Sequence, residues 1–230
     1  MKKIGTNSKI ICTGEANNND VIVFRKCFEI DSAPQSAPAY ISAETKYFLF
    51  VNGREVIWEG SLFRNSMPGC SYADEAELAP YLKKGKNCIT VFVHYFGNEG
   101  RNNKNSGRAG LLFDCGALGL FSDSSWKCIK HPAYYTPGAP SPAYLYGGDN
   151  LGFDGNKTLR GVLTADFNDS NFEDASEFDN TSWGSFYLRP VPQIKIEGKQ
   201  SLKLKKLTPK TSEADKYSAP LPYAMAMAIA

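Results

Sequence analysis

Apolar residues recur with a period of two along much of this chain, and helical periodicity is scarce. Because successive side chains of a β-strand point to opposite faces, this period predicts strands with at least one buried face. A high aromatic content, 13%, favours a β-protein with packed cross-strand pairs. In residues 21–30, the apolar face consists of Ile22, Phe24, Phe28 and Ile30, and Arg25 and Glu29 lie on the polar face. In residues 88–96, the apolar face consists of Ile89, Val91, Val93 and Tyr95.

Turn signals separate these runs. Asn52-Gly53 lies between two apolar runs and predicts a tight hairpin, because both residues tolerate positive φ. Residues 72–87 are predicted to be turn-like or to form a single helical turn, with Gly85 able to end it. Residues 131–150 are predicted to wrap the surface as an ordered loop, and further short strands are expected at 118–121, 126–130, 162–164 and 186–195. This order of elements predicts an all-β, antiparallel β-sandwich.

The stretch HYFGNEGRNNKNSGRAGLLFDC, residues 94–115, interrupts the alternation with Gly, Asn and basic residues. The apolar runs at 88–96 and 109–115 are predicted to pair as an antiparallel hairpin around it. The loop lacks the spacing of a phosphate-binding loop and does not open a helix. It is interpreted as a hairpin tip that contacts a neighbouring domain, with a sugar as the alternative; under the first reading the tip should be mobile in the isolated chain.

The charge pattern argues against nucleic acid and membrane partners. The formal net charge is +2, and the one basic run, KLKKLTPK at 203–210, is short enough to be a solvated edge or linker. No run approaches the roughly 20 apolar residues that span a bilayer. The start MKKIGTNSKI has lysines but no apolar core of a signal peptide, so cytoplasmic location and secretion after processing both stay open.

The six cysteines do not follow zinc-binding spacing, since none form a CxxC pair and the chain has two His. Several lie inside apolar runs, which favours free, buried thiols that pack as small hydrophobic groups. Disulfides are the alternative, with no pairing fixed by the sequence.

Four segments of the chain, which overlap the runs described above, resemble the N-terminal β-sandwich of bacterial α-L-rhamnosidases. More broadly, they resemble the galactose-binding-like jelly-roll modules of large glycosidases. They are YFLFVNGREVIWEG, YADEAELAPYLKKGKNCITVFVHYFG, SGRAGLLFDC and SDSSWK, with support from DNLGFDGNKTL, FDNTSW and RPVPQIK. The likeness covers about residues 20–195. It implies a galactose-binding-like sandwich at 1–185, followed at 186–230 by a linker and the first strands of a truncated β-domain.

The same resemblance implies that catalysis lies elsewhere. Such rhamnosidases are inverting enzymes that use two acidic residues of a helical (α/α)6 barrel, and this sequence has no amphipathic helical repeats that could build one. No catalytic residue is therefore assigned. The acidic pairs Asp74/Glu75, Glu173/Asp174 and Asp166/Asp169 lie in polar, turn-rich runs and are interpreted as structural.

A sugar site or an interdomain contact would use aromatic platforms and planar polar side chains at a loop rim. The candidates are Trp58, Tyr144 and Tyr146 as platforms, and Arg101, Asn102, Asn103 and Asn105 as hydrogen-bonding groups. No cofactor is expected. The alternative is a Ca²⁺ ion at residues 167–180, which are rich in carboxylate and amide oxygens.

Two functions follow from the resemblance. The first is a non-catalytic accessory module of an α-L-rhamnosidase-like glycoside hydrolase, which packs on the catalytic domain and positions it. The second is an independent carbohydrate-binding module for a rhamnose-containing polysaccharide. Both functions belong to bacterial carbohydrate metabolism. Under either one, the parent protein would be the enzyme and this chain would not carry the catalytic activity.

Overall fold

Two β-sheets pack face to face in the computed structural model, which describes residues 3–4, 7–60, 69–99, 105–137, 150–178 and 183–193. Apart from three short 3-10 turns, the regular elements of this part of the chain are strands. They are β1 (Lys3–Ile4), β2 (Ile10–Cys12), β3 (Asp20–Ile30), β4 (Pro38–Ala43), β5 (Lys46–Val51), β6 (Arg54–Ile57), β7 (Cys70–Glu77), β8 (Gly85–Tyr95), β9 (Gly110–Cys115), β10 (Leu120–Phe121), β11 (Lys127–Lys130), β12 (Tyr134–Tyr135), β13 (Gly152–Phe153), β14 (Glu173–Asp174), β15 (Ser176–Phe178) and β16 (Ser185–Leu188).

The strands form two main sheets and one small pair. The first sheet has the order β1–β16–β7–β4–β9–β2–β15, with β10 also paired to β9. The second has the order β14–β11–β3–β8–β5–β6, and β12 pairs with β13. The paired strands are antiparallel except for β16 and β7. The predicted antiparallel β-sandwich is confirmed.

The main core lies between the two sheets. Residues of the first sheet, such as Ile41 and Phe113, share one buried cluster with residues of the second sheet, such as Leu49. The predicted inner face of β8 is confirmed, because Ile89, Val91, Val93 and Tyr95 all belong to this cluster. Trp126 closes one part of the core against Phe113 and donates its indole N–H to the carbonyl oxygen of Phe121 at 2.9 Å.

The Asn52-Gly53 hairpin between β5 and β6 is confirmed. Asn52 has φ 52° and Gly53 has φ 78°, the left-handed values that this turn requires. The Asn52 side chain also donates to Asn87 Oδ1 at 2.8 Å and accepts from the amide of Cys88 at 3.0 Å. This hairpin is therefore tied to the neighbouring strand β8 by side-chain as well as backbone hydrogen bonds.

Two smaller predictions are corrected. Residues 72–77 are not turn-like but part of strand β7, and one 3-10 turn follows at Ala79–Tyr81. Residues 162–164 are not a strand but lie in consecutive turns. Strands near 118–121, 126–130 and 186–195 are confirmed as β10, β11 and β16, the last of these shorter than expected.

The predicted hairpin of 88–96 with 109–115 is wrong. Strand β8 pairs with β3 and β5 in the second sheet, whereas β9 pairs with β4 and β2 in the first. The physical reason is length: β3 matches β8 residue for residue from Asp20↔Tyr95 to Ile30↔Gly85, which satisfies far more backbone groups than the shorter β9 could. Residues 96–109, called the crossover below, therefore lead from one sheet to the other.

The outer face of the second sheet is also covered, which the sequence did not predict. Val23, Phe48 and Phe92 point away from the main core and form a second buried cluster with Val162 and Phe172. Arg25, predicted to lie on a polar face, is completely buried there and forms an ion pair with Asp169 at 3.1 Å. Residues 159–172 thus act as a lid on β3 and β8, called the outer lid below.

Strand β16 pairs with β7 just past the predicted module boundary at residue 185. Residues 194–230 lie outside the described residues, so the division into 1–185 and 186–230 stays a prediction. The predicted wrapping loop at 131–150 begins with β12, and its residues 138–149 also lie outside them. All six cysteines are described as free thiols, with Cys27 and Cys70 only half-buried. No described helix has the length and apolar character needed to cross a membrane.

Candidate functional site: a polar groove at the crossover

A polar groove of about 620 Å³ opens where the crossover meets the segment after β2. The second part of the crossover forms one wall and the chain after Cys12 forms the other. Glu15 and Arg108 are the charged side chains along it. The lining residues are Cys12, Thr13, Gly14, Glu15, Ala16 and Asn17, and Ser106, Gly107, Arg108 and Ala109.

Asn105 fixes the end of the crossover. Its side-chain oxygen accepts hydrogen bonds from the Tyr95 hydroxyl at 3.0 Å and from the amide of Gly107 at 2.8 Å, while its side-chain amide donates to the carbonyl oxygen of Gly97. Asn is suited to this role because its short side chain both donates and accepts. The predicted binding residue Asn105 is thus engaged in holding the loop that forms the groove wall.

Glu44 lies behind the groove wall and is completely buried. Its carboxylate accepts hydrogen bonds from both the amide of Ser106, at 2.7 Å, and the Ser106 hydroxyl. Burial raises the pKa of Glu44 to about 7, although the hydrogen bonds from Ser106 act in the opposite direction. A carboxyl group that changes charge near neutral pH is therefore coupled to the residue that lines the groove.

Trp183 covers this carboxyl pocket from the other side. Its indole N–H donates to the Ser106 hydroxyl at 3.1 Å, and the ring is buried against Phe178 and Phe186. The ring packs directly on Gly110, where a Cβ atom would lie 2.6 Å from Trp183 Cζ2. Glycine at the start of β9 is thus required for the tryptophan to approach the strand.

The groove offers hydrogen-bonding groups rather than a stacking surface. Arg108 is exposed, and its guanidinium lies 5.1 Å from the centre of the Phe178 ring. Aromatic residues do not occur among the described residues that line the groove. The arrangement can bind polar groups, either of a ligand or of another protein surface, through charge and hydrogen bonds.

The sequence-predicted site residues do not converge in the described part of the chain. Trp58 is half-buried in the second cluster, where its ring packs edge-on against Phe48 with centroids 4.9 Å apart. Asn105 lies in the crossover and bonds Tyr95, which belongs to the main core rather than to that cluster. The remaining five lie outside the described residues, as does the tip that was expected to be mobile: Arg101, Asn102, Asn103, Tyr144 and Tyr146.

Several of the paired acidic residues form ion pairs within the sandwich. Asp74 is buried, accepts from the Tyr47 hydroxyl at 2.7 Å and forms an ion pair with Arg189 at 2.7 Å. Asp174 forms an ion pair with Lys127 on the strand next to it at 2.7 Å. Within the described ranges, no three or more His, Cys, Asp and Glu side chains form a group that could hold a metal ion. The Ca²⁺ alternative at 167–180 stays a prediction, because residues 179–180 lie outside those ranges.

Sequence reasoning missed Glu44, Ser106 and Trp183 as a connected group. Glu44 occurs in the short polar break between β4 and β5, where a carboxylate is expected to be solvated. The three residues are far apart in sequence and meet only because β9 lies beside β4. No local motif in the sequence could have indicated this arrangement.

The sandwich is similar to a part of several solved α-L-rhamnosidases. With the GH78 family rhamnosidase of Bacillus sp. GL1, the TM-score is 0.71 at 23% identity, over 84% of this chain and 20% of that enzyme. With the α-L-rhamnosidase from Dictyoglumus thermophilum, the TM-score is 0.60 at 21% identity, over 81% of this chain and 22% of that enzyme.

A lectin from Pleurotus ostreatus shares the sandwich more distantly. The TM-score is 0.50 at 18% identity, over 83% of this chain and 47% of the lectin. No protein-family model and no curated protein sequence matches the chain. These likenesses show the fold, and the chain spans about a fifth of the length of the two rhamnosidases. That coverage fits one domain of such an enzyme.

Replacing Ser106 with alanine tests the group behind the groove. The change removes the hydroxyl that donates to Glu44 and accepts from Trp183. Because both partners are buried, we expect the free energy of unfolding to fall by about 1–2 kcal/mol in urea titrations at neutral pH. Ser124→Ala, at an exposed position, should leave the unfolding midpoint unchanged. Equal midpoints for Ser106→Ala and wild type would contradict the role given to this hydroxyl.

Proposed function

We propose that this chain is a non-catalytic β-sandwich module of an α-L-rhamnosidase-like glycoside hydrolase and that it packs on the catalytic domain. The observation that carries the proposal is the fold likeness, which covers 84% of this chain but 20% of the Bacillus enzyme. The enzyme of which it would be a part hydrolyses terminal α-L-rhamnosides. The catalytic carboxyl pair would belong to that other part.

The crossover groove supports a domain contact. Interfaces between domains of one chain are more polar than permanent subunit interfaces, and the groove presents Glu15, Arg108 and backbone groups without an aromatic lining. The wall is held by side-chain hydrogen bonds of Asn105, so it would enter an interface with its shape already defined. Such preorganisation lowers the entropic cost of association.

The polar groove also supports a second candidate, an independent module that binds rhamnose-containing polysaccharide. Arg108, Glu15 and Asn17 supply planar donors and acceptors of the kind that recognise sugar hydroxyl groups. This candidate would gain from an aromatic platform, for which Tyr144 and Tyr146 are the sequence candidates. The two candidates differ in what occupies the groove.

Calorimetric titration of the chain with L-rhamnose and rhamnogalacturonan fragments, with and without Ca²⁺, separates the candidates. The packing role predicts no saturable heat at millimolar sugar. Saturable binding that is lost on Arg108→Ala, on Arg101→Ala or on chelation would overturn it in favour of the carbohydrate-binding module. Asp123→Ala, in a turn that does not line the groove, provides the control for a general surface effect.

A second measurement tests packing directly. The chain is mixed with the separately produced catalytic domain of a GH78 rhamnosidase from the same organism, and the mass of the mixture is followed by light scattering. The packing role predicts a complex that Arg108→Glu weakens, because the substitution reverses a charge on the groove wall. Two unassociated species at all concentrations would count against it.

A further inference from the structure

Cys27 and Cys88 lie directly opposite each other on the two longest strands, β3 and β8. The two backbones do not exchange hydrogen bonds at this point. The carbonyl oxygen of Cys88 accepts from the amide of Asn52 at 2.9 Å and its amide donates to the Asn52 side chain, so both groups point toward β5. On β3, the carbonyl oxygen of Val21 accepts a hydrogen bond from the backbone amide of His131 at 2.8 Å. The backbone groups of every second residue after Val21, including those of Cys27, therefore point toward β11 and away from β8.

This register defines a non-hydrogen-bonded pair, the closest kind of pair in an antiparallel sheet. The Cα atoms of such a pair lie about 4.5 Å apart. A disulfide requires Cα atoms between roughly 4.4 and 6.8 Å. Because residues directly opposite each other in an antiparallel sheet project from the same face, the two thiol side chains lie next to each other on one face of the second sheet.

The two sulfur atoms differ in environment. Cys27 is half-buried, and Arg25 Nη2 lies 3.5 Å from its Sγ. The neighbouring Cys88 thiol and the positive charge of Arg25 lower the pKa of Cys27. Cys88 is buried next to Thr90, and the neighbouring Cys27 thiol together with burial raises the pKa of Cys88. The pair therefore combines a reachable nucleophile with a protected second thiol.

The other four cysteines lack such a partner in the described strand registers. Each is opposite a residue that is not cysteine: Cys12 faces Gly110 and Ser176, Cys70 faces Ser185, Cys115 faces Leu120, and Cys128 faces Phe24 and Glu173.

We propose that Cys27 and Cys88 form a reversible dithiol–disulfide site that reacts with low-molecular-weight disulfides. The Cys27 thiolate attacks one sulfur of the small disulfide, which forms a mixed disulfide on Cys27 and releases one small thiolate that takes up a proton from solvent. The Cys88 thiol then loses its proton and attacks Cys27 Sγ, which forms the Cys27–Cys88 bond and releases the second small thiol. The protein is oxidised by two electrons and the small disulfide is reduced to two thiols.

The site adjoins the outer lid through Arg25, so its redox state is coupled to that arginine. The Cys27 sulfur is one of the groups around the Arg25 guanidinium, together with Asp169 and the carbonyl oxygens of Val162 and Thr164. In the disulfide, Cys27 can no longer be an anion, so one negative partner of the buried arginine is lost. Oxidation is expected to loosen residues 162–169 without opening the sandwich.

Mapping of disulfides in the folded chain tests the site. The 230-residue chain is incubated with oxidised glutathione at neutral pH, free thiols are blocked with N-ethylmaleimide in acid, and the digest is analysed by mass spectrometry. The expected result is a peptide in which Cys27 is linked to Cys88, which disappears when a reductant is added. Recovery of both residues as blocked free thiols under conditions that modify Cys70 would overturn the proposal.

Two variants test the order of the steps. Cys88→Ser lacks the second thiol, so it is expected to accumulate glutathione on Cys27; Cys27→Ser is expected to leave Cys88 free of glutathione, because that thiol is buried. Cys70→Ser, at the other half-buried cysteine, should link Cys27 to Cys88 as wild type does. Glutathione on Cys88 in the Cys27→Ser variant would contradict the assigned order. The wild-type digest remains decisive if a variant does not fold, as judged by circular dichroism.

Discussion

Replacing Arg25 with alanine is expected to lower the free energy of unfolding by about 3 kcal/mol. The side chain is completely buried beneath the outer lid. It donates to the carbonyl oxygens of Val162 and Thr164, forms an ion pair with Asp169 at 3.1 Å and lies 5.1 Å from the centre of the Phe167 ring. Alanine leaves these buried acceptors unpaired and opens a space under the lid.

The ion pair itself supplies the smaller share of this effect. The Asp169 side chain is 27% exposed, so water screens its charge and solvates it when the arginine is gone. Most of the loss is therefore expected from the carbonyl oxygens and the lost packing. Arg25→Lys should recover little of the stability, because a single ammonium group cannot reproduce the several directions of the guanidinium donors.

Lys127→Ala is the matched control for Arg25→Ala. Lys127 lies opposite Arg25 in the ladder of β11 and β3, carries the same charge and also pairs with an aspartate, Asp174. Because this pair is exposed to solvent, its removal should leave the urea midpoint unchanged. Similar shifts for Arg25→Ala and Lys127→Ala in urea unfolding at pH 7 would show that the outer lid does not bury Arg25 as described.

The sequence predicted the strands and their inner faces because the main core is built from local alternation. Ile89, Val91 and Val93 follow period two, and all three lie between the sheets. The Asn52-Gly53 hairpin was predictable for the same reason, since a two-residue turn with positive φ depends on its own two residues. These features need no knowledge of distant parts of the chain.

The strand partners were not predictable from the same pattern. Period two tells which side of a strand is buried but not which strand lies beside it, so β8 and β9 were paired across their loop although they belong to different sheets. The outer face of β3 shows a similar limit. Arg25 was placed in solvent because nothing local indicates that residues 159–172 return to cover it.

The candidate groove shows why site residues are harder to predict than strands. Three distant parts of the chain supply Glu44, Ser106 and Trp183. They become neighbours because β4, β9 and β2 are adjacent in the sheet and because the chain after β15 returns to this place. Asn105 was selected for its polar side chain, and the hydrogen bonds of that side chain in the structure hold the crossover. The residue type predicted that the Asn105 side chain would form hydrogen bonds, and the topology of the fold determined its partners.

Glu44→Gln is expected to remove a pH dependence of stability that wild type shows between about pH 4.5 and pH 7. The pKa of Glu44 is raised from 4.5 to about 7 by burial. Across this interval the folded protein keeps a proton that the unfolded chain releases, so the stability of wild type falls as pH rises. Below the interval both states are protonated, and above it the loss is complete and constant.

The size of this effect follows from the two pKa values. A shift of this extent corresponds to about 3 kcal/mol at 1.36 kcal/mol per unit. Glutamine keeps an acceptor for the Ser106 amide and carries no charge, so the difference in unfolding free energy between Glu44→Gln and wild type should increase by about 3 kcal/mol from pH 4.5 to pH 8. Urea titrations of both proteins across this range measure the difference. A pH-independent change in unfolding free energy caused by the substitution itself cancels when the values at the two ends of the range are subtracted.

Glu77→Gln provides a control of opposite sign. Glu77 is exposed, and hydrogen bonds from the Ser36 hydroxyl and from the amides of Ala79 and Ala37 lower its pKa. Its carboxylate therefore stabilises the fold above the pKa of the unfolded chain, and this contribution is lost as pH falls. As pH rises, the free energy of unfolding of Glu77→Gln should fall relative to wild type, whereas that of Glu44→Gln should rise relative to wild type. Parallel profiles for the two variants would mean that Glu44 is already ionised in the folded protein below pH 5, and that its pocket admits water.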